Sequence, residues 1–144
     1  MPAPLVATYS AAALIAAHTA FKNLIDAGAG AGSIKIRSAT DVLLAQVPLV
    51  MPRRAITALG AGVVLPHELS YGSTGQLVFA IAGPDTSADA GGTAAYAEFC
   101  DSAGLVHLAM PAQAGAAAVS GYLVVNTLAV VAGASFEVLS AVLG

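Results

Sequence analysis

Past residue 28 this chain cannot build a long helix, because glycine, proline and aspartate interrupt it at short intervals. Gly83-Pro84-Asp85, Asp89-Ala90-Gly91-Gly92, Asp101-Ser102-Ala103-Gly104 and Ala132-Gly133 all carry turn chemistry. The apolar runs between them are of strand length. The first shows its period openly: Ser33-Ile34-Lys35-Ile36-Arg37 places two isoleucines on one face and two cations on the other. After a turn from Ser38 to Asp41, Val42 to Val47 reads as a second strand, with Pro48 and Pro52 marking its end or an edge. Gln76–Ala82, Ala94–Cys100, Leu105–Met110, Tyr122–Leu128 and Phe136–Leu143 are the later strand candidates. Asp101 to Gly104 joins two of them closely enough to predict a β-hairpin. The glycine-interrupted segment from Ala55 to Leu65 fits strand or loop. Many short strands so separated predict a mainly β fold, a β-sandwich or jelly-roll-like domain, with a closed barrel as the related alternative.

The N-terminal part has a different grain. Residues 1–9 contain Pro2 and Pro4 and no periodicity, which predicts an extended arm. Ser10 suits a helix N-cap. From Ala11 to Ala27 the residues Leu14, Phe21, Leu24 and Ile25 fall at helical spacing, and Gly28 suits the left-handed stop. The expected organisation is an arm over 1–9, a helix over 10–28, a flexible joint at Gly28-Ala29-Gly30-Ala31-Gly32, and a β-sandwich over 33–144. At 144 residues these form one domain, since domains commonly hold roughly 100–200 residues.

Composition says how such a domain must live. Charged residues make up 9% of the chain and hydrophobic ones 58%, against about 25% charged in ordinary globular domains. A surface kept soluble by charge carries about 25–35% Lys, Arg, Glu and Asp, which this chain cannot supply. Its exterior must therefore consist largely of Ala, Gly, Ser and Thr, with part of it buried against other chains, and a permanent homo-oligomer is expected. A membrane does not explain the composition, because a spanning helix needs about 20 consecutive apolar residues. The richest stretch, Ala11 to Ala20, contains His18 and Thr19 and leads into Lys22, Asn23 and Asp26. Met1-Pro2-Ala3-Pro4 offers no positive leader, and the first cation, Lys22, lies beyond the apolar segment, so use without signal-directed export is expected. Net charge is −3 and only Arg53 and Arg54 adjoin, which disfavours nucleic acid as a partner. Cys100 is alone; it can form no intrachain disulfide and is expected as a small buried hydrophobe.

Residues able to carry chemistry are few. The Gly28 to Gly32 stretch follows a helix and precedes a strand, the reverse of a dinucleotide cradle. Gly72-Ser73-Thr74-Gly75 lacks the spacing of a nucleophile elbow. His18, His67 and His107 are scattered, and His107 is expected to meet solvent or a neighbouring subunit from its strand. Asp85 and Asp89 read as turn residues rather than calcium ligands, which would need a denser run of oxygens. Glu98 and Glu137 stand as single outward-facing carboxylates with no partner legible in the sequence. No catalytic residue, cofactor, metal site or small-molecule substrate is expected. The candidate interface residues are Arg53 and Arg54, suited to a partner carboxylate, with Pro2, Pro4 and Leu5 of the arm. A solvated turn is the other reading of the arginine pair.

The order of several segments resembles small Ala- and Gly-rich virion proteins of tailed bacteriophages. The segments are Phe21-Lys22-Asn23-Leu24-Ile25-Asp26-Ala27-Gly28 followed by Ile34-Lys35-Ile36, Val42-Leu43-Leu44-Ala45 with Pro48-Leu49, and Ser87-Ala88-Asp89-Ala90-Gly91-Gly92-Thr93-Ala94-Ala95-Tyr96 running to Cys100-Asp101-Ser102-Ala103-Gly104. Leu123-Val124-Val125-Asn126 with Val131-Ala132-Gly133-Ala134 completes the series. The resemblance implies a phage structural protein, made in the host cytoplasm and located in the virion. A small, weakly charged β-domain with an N-terminal arm suits a capsid decoration or cement protein, self-associated (a trimer is the expectation) and bound to the major capsid protein, its strand edges paired with neighbours. A tail or head–tail junction component is the alternative. A receptor- or glycan-binding sandwich is a third, disfavoured by an aromatic content of 6% without Trp, though Tyr71 and Tyr96 would serve it.

Overall fold

A computed structural model describes residues 11–25, 27, 30–49, 69–71, 77–79 and 81–143. The arm over 1–9, Gly28 and the segment Ala55 to Leu65 lie outside these residues. The fold is mainly β, sandwich-like, with one N-terminal helix. Helix α1 spans Ala11–Ile25, and the strands are β1 Ser33–Arg37, β2 Leu43–Pro48, β3 Leu69–Tyr71, β4 Leu77–Phe79, β5 Gly92–Thr93, β6 Tyr96–Cys100, β7 Val106–Ala114, β8 Leu123–Val125, β9 Ala129–Val130 and β10 Val138–Leu143. Eight strands form one sheet in the order β2-β1-β6-β7-β8-β10-β4-β3, and β5 pairs with β9 separately.

The sheet curls until the continuation of β2 meets that of β4, the strand next to its other edge. Leu49, just past β2, bridges Ile81, just past β4, and the Ala82 amide donates to the Pro48 carbonyl at 3.0 Å. The segment that follows lines the open side of β2: the Asp89 and Ala90 amides donate to the Leu44 carbonyl at 2.8 and 3.2 Å. The same segment pairs outward with the approach to β10, where Asp85 and Phe136 exchange amide bonds of 2.9 and 2.7 Å. An exposed strand edge invites pairing with another chain. Here the β2 edge is covered by the chain itself, not by a neighbour as the sequence led us to expect.

Inside the curl the described residues form one core. Ile34 and Ile36 are fully buried while Lys35 and Arg37 stand outward and half-buried, as the alternation predicts. Phe99 is completely buried with its ring centroid 4.5 Å from that of Phe79, which meets Phe21 of the helix edge-on at 6.1 Å. Phe21 and Ile25 thus bring α1 onto the core, whereas Leu24, expected on the same apolar face, is exposed.

Two hairpins repeat one design. In the first, the Asp41 amide donates to the Ser38 carbonyl and the Ser38 amide to the Val42 carbonyl; in the second, Gly104 donates to Asp101 and Asp101 to Leu105. Each ends in a left-handed residue, Asp41 (φ 65°) and Gly104 (φ 87°), the geometry of a type I turn closed by a bulge. In each, the first side chain caps the turn: Ser38 Oγ accepts from the Thr40 and Val42 amides, and Asp101 Oδ1 from those of Ala103 and Leu105.

Two expectations need correction. Gly28 to Gly32 was expected to be a flexible joint, yet Gly32 is buried, and a methyl group there would lie 2.8 Å from both the Cys100 carbonyl oxygen and Ile25 Cγ2. Its carbonyl also accepts from the Leu49 amide at 3.0 Å. The second concerns β7, expected to stop at Met110 before a proline. It continues through Pro111 to Ala114 because it changes partner there, pairing antiparallel with β6 up to Pro111 and parallel with β8 from Ala112. Successive amides along a strand point to opposite sides. Ala112 donates to Ala95 on the β6 side, so Pro111 would have pointed to the other side, where pairing with β8 has not begun.

Candidate interaction surface

The outer face of β1, β6 and β7 is polar at its centre. Lys35 lies opposite Glu98 in the β1–β6 register, and Arg37 opposite Tyr96. Arg37 Nε donates to Glu98 Oε2 at 2.7 Å and its Nη1 to the Asp41 carbonyl at 3.0 Å, while the Tyr96 hydroxyl donates to Asp41 Oδ1 at 2.5 Å. Glu98 is therefore not the lone carboxylate the sequence suggested; its partner comes from a strand 61 residues away. The hydrogen bond to Glu98 raises the Arg37 pKa further, and the bond to Asp41 raises that of Tyr96. The network ties the first hairpin to β6. Its side chains are partly solvated, so we expect a double-mutant cycle of Arg37→Met and Glu98→Gln to give a coupling below about 1 kcal/mol that shrinks in high salt.

At the opposite end of β6, His107, expected to meet solvent or a neighbouring subunit, meets a carboxylate of its own chain. Its Nε2 lies 3.0 Å from Asp101 Oδ2, and both side chains are nearly enclosed. The His107 hydrogen bond, then the bonds from the Leu105 and Ala103 amides, hold the Asp101 carboxyl below the usual carboxylate range. A depressed folded-state pKa adds stability that is complete above the ordinary carboxylate value and lost as pH falls toward the folded-state value. Unfolding midpoints measured from neutral pH down to about pH 3 should thus fall at the acid end. The Asp101→Asn variant should begin less stable and show a flatter acid limb. Cys100 is buried, as expected, and burial pushes its thiol pKa up, away from reactivity. His18 is also buried, and His67 lies outside the described residues.

The exposed apolar side chains gather partly at this end. Leu105 is 63% exposed, Leu24 51% and Val106 43%. Leu105 precedes β7 and Val106 opens it beside the second hairpin, whose Ser102 Oγ donates to the Ala27 carbonyl just past the helix at 3.1 Å, so hairpin and helix end stand together. Helix α1 packs against β7 itself. Farther along, every residue from Ala114 to Ser120 is exposed, and none carries charge.

A cleft of about 390 Å³ opens beside the covered edge of β2, lined by Ser33, Gln46, Pro48, Asp85, Ser87 and Asp89 together with Ala31 and Gly32. Asp85 is held in place, its Oδ2 accepting from the Gln46 amide and its Oδ1 from the Ser87 amide, both at 2.9 Å. Asp85 and Asp89, separate turn residues in the sequence reading, are brought to one wall. Among the described residues no three His, Cys, Asp or Glu side chains converge as metal ligands, and no described helix is long and apolar enough to cross a membrane. Arg53, Arg54, Pro2, Pro4 and Leu5, the residues proposed from sequence for an interface, lie outside the described residues. The surface features above were missed because they arise where hairpin, helix end and strand edge meet. No family model matches the chain, and comparisons with characterised proteins and with solved structures returned no match.

Proposed function

We propose that this chain is a non-catalytic structural protein that self-associates in a larger assembly, specifically a decoration or cement protein on a bacteriophage capsid. The observation that carries the reading is the exposure of Leu24, Leu105 and Val106 at one end of a chain with 9% charged residues. Exposed apolar surface is a usual mark of an interaction site where it is contiguous, and such a weakly charged chain has little with which to keep it in water. The order of sequence segments resembling phage virion proteins supplies the particular assembly. The test is copy number. Heads and tails of purified particles are separated, and this chain is counted against the major capsid protein by quantitative mass spectrometry. Hundreds of copies travelling with heads are expected; a handful with tails would favour a junction or tail component, and absence from particles would remove the virion reading.

A further inference from the structure

We propose that the connection from β7 to β8, residues 115–122, is a strap that opens locally, and that the buried Ser140 hydroxyl governs how readily it does so. The inference stands apart from the assembly proposed above. The strap leaves β7 on one side of β8, where the Gly115 amide donates to the Val125 carbonyl at 3.0 Å. It arrives on the other side of β8, where Ser120 bridges Val142 of β10 and the Gly121 amide donates to the Val142 carbonyl at 2.7 Å. It must therefore cross one face of β8. Leu123 and Val125 belong to the core, so the crossing runs over the opposite face, which carries Val124. A methyl group at Gly115 would lie 3.7 Å from Val124 Cγ1. Ser140 stands opposite Val124 in the β8–β10 register, and side chains so paired share a face.

Val124 and Val142 are buried although neither belongs to the core, so this outer face is covered. On the same face, Ser140 Oγ is the one buried side-chain polar atom among the described residues without a hydrogen-bond partner. A buried hydroxyl left unmet costs stability, and the strap offers little to offset that cost. Its residues from Gly115 to Ser120 are exposed and uncharged. Of its amides, only those of Gly115, Gly121 and Tyr122 donate to described carbonyls, that of Tyr122 to Val119 within the strap itself. Gly121, at its far end, takes a left-handed φ of 81°. Segments with few buried contacts and exposed backbone open at the lowest cost. Lifting the strap brings water to Ser140 Oγ, so the hydroxyl penalises the closed form alone. The open form uncovers Val124 and Val142, a change of surface that leaves the core in place.

The experiment is residue-resolved amide hydrogen exchange on the full chain, comparing wild type with Ser140→Ala. In wild type, the Gly121 and Tyr122 amides should exchange well ahead of the paired amides of β6. Ser140→Ala should slow both at least about tenfold (about 1.4 kcal/mol), because it removes the penalty from the closed form. The Gly104 amide, which closes the second hairpin on Asp101, should exchange at the same rate in both proteins. Gly121 and Tyr122 protected as strongly as β6 in wild type would overturn the local opening. Exchange at Gly121 and Tyr122 unchanged by Ser140→Ala would overturn the role of the hydroxyl. An equal slowing at Gly104 would make the effect a general one and equally overturn the proposal.

Discussion

Replacing Phe99 by alanine should cost about 3–5 kcal/mol, the range for truncating a buried aromatic. Phe99 is wholly enclosed, lies with its ring tilted 43° and 4.5 Å from that of Phe79, and through it reaches Phe21 of the helix. It sits on β6, between β1 and β7, so the cavity would open in the middle of the sheet where strands paired on both sides have little freedom to collapse. Domains of this kind have total stabilities of about 5–15 kcal/mol, so the variant is expected to be near the limit of folding at ambient temperature. Urea titration at equal protein concentration gives the test. The midpoint should drop sharply with an unchanged slope. A loss below about 1 kcal/mol would mean that the three rings do not form the centre of the core.

Gly32→Ala should cost about 1–3 kcal/mol, a large effect for one methyl group. The added carbon would approach the Cys100 carbonyl oxygen and Ile25 Cγ2 to 2.8 Å, and the Ile25 carbonyl oxygen to 3.1 Å. A carbonyl in β6 cannot move without disturbing its strand, so relief must come from displacing the end of the helix. The control is Gly83→Ala, whose added methyl meets nothing within 4 Å; it should be neutral or slightly stabilising, because it restricts only the unfolded chain. Equal effects at the two positions would show that Gly32 is not a point of close approach.

Gly32 also shows where sequence reading reaches its limit. Its neighbours Gly28 and Gly30 make the stretch look like a linker, and nothing local distinguishes a glycine that flexes from one against which two elements pack. Local signals did succeed where the cause was local. The period of two in β1 follows from Ile34 and Ile36, and the second hairpin from Asp101 and Gly104, each within a few residues. The pairing of β7 with β8 was invisible because parallel neighbours usually require a connection of about a dozen residues or more, and here residues 115–122 suffice. Arg37 with Glu98, His107 with Asp101 and Asp85 with Gln46 depend on register between elements. Each partner was legible as a residue, but its contact was not.

Self-association is the central claim, and sedimentation equilibrium of the purified full chain at micromolar concentration tests it most directly. A single species at a small multiple of the 14.1 kDa chain mass is expected, persisting on dilution and weakened by Leu105→Glu. A stable, soluble monomer at 14.1 kDa across that concentration range would contradict the account.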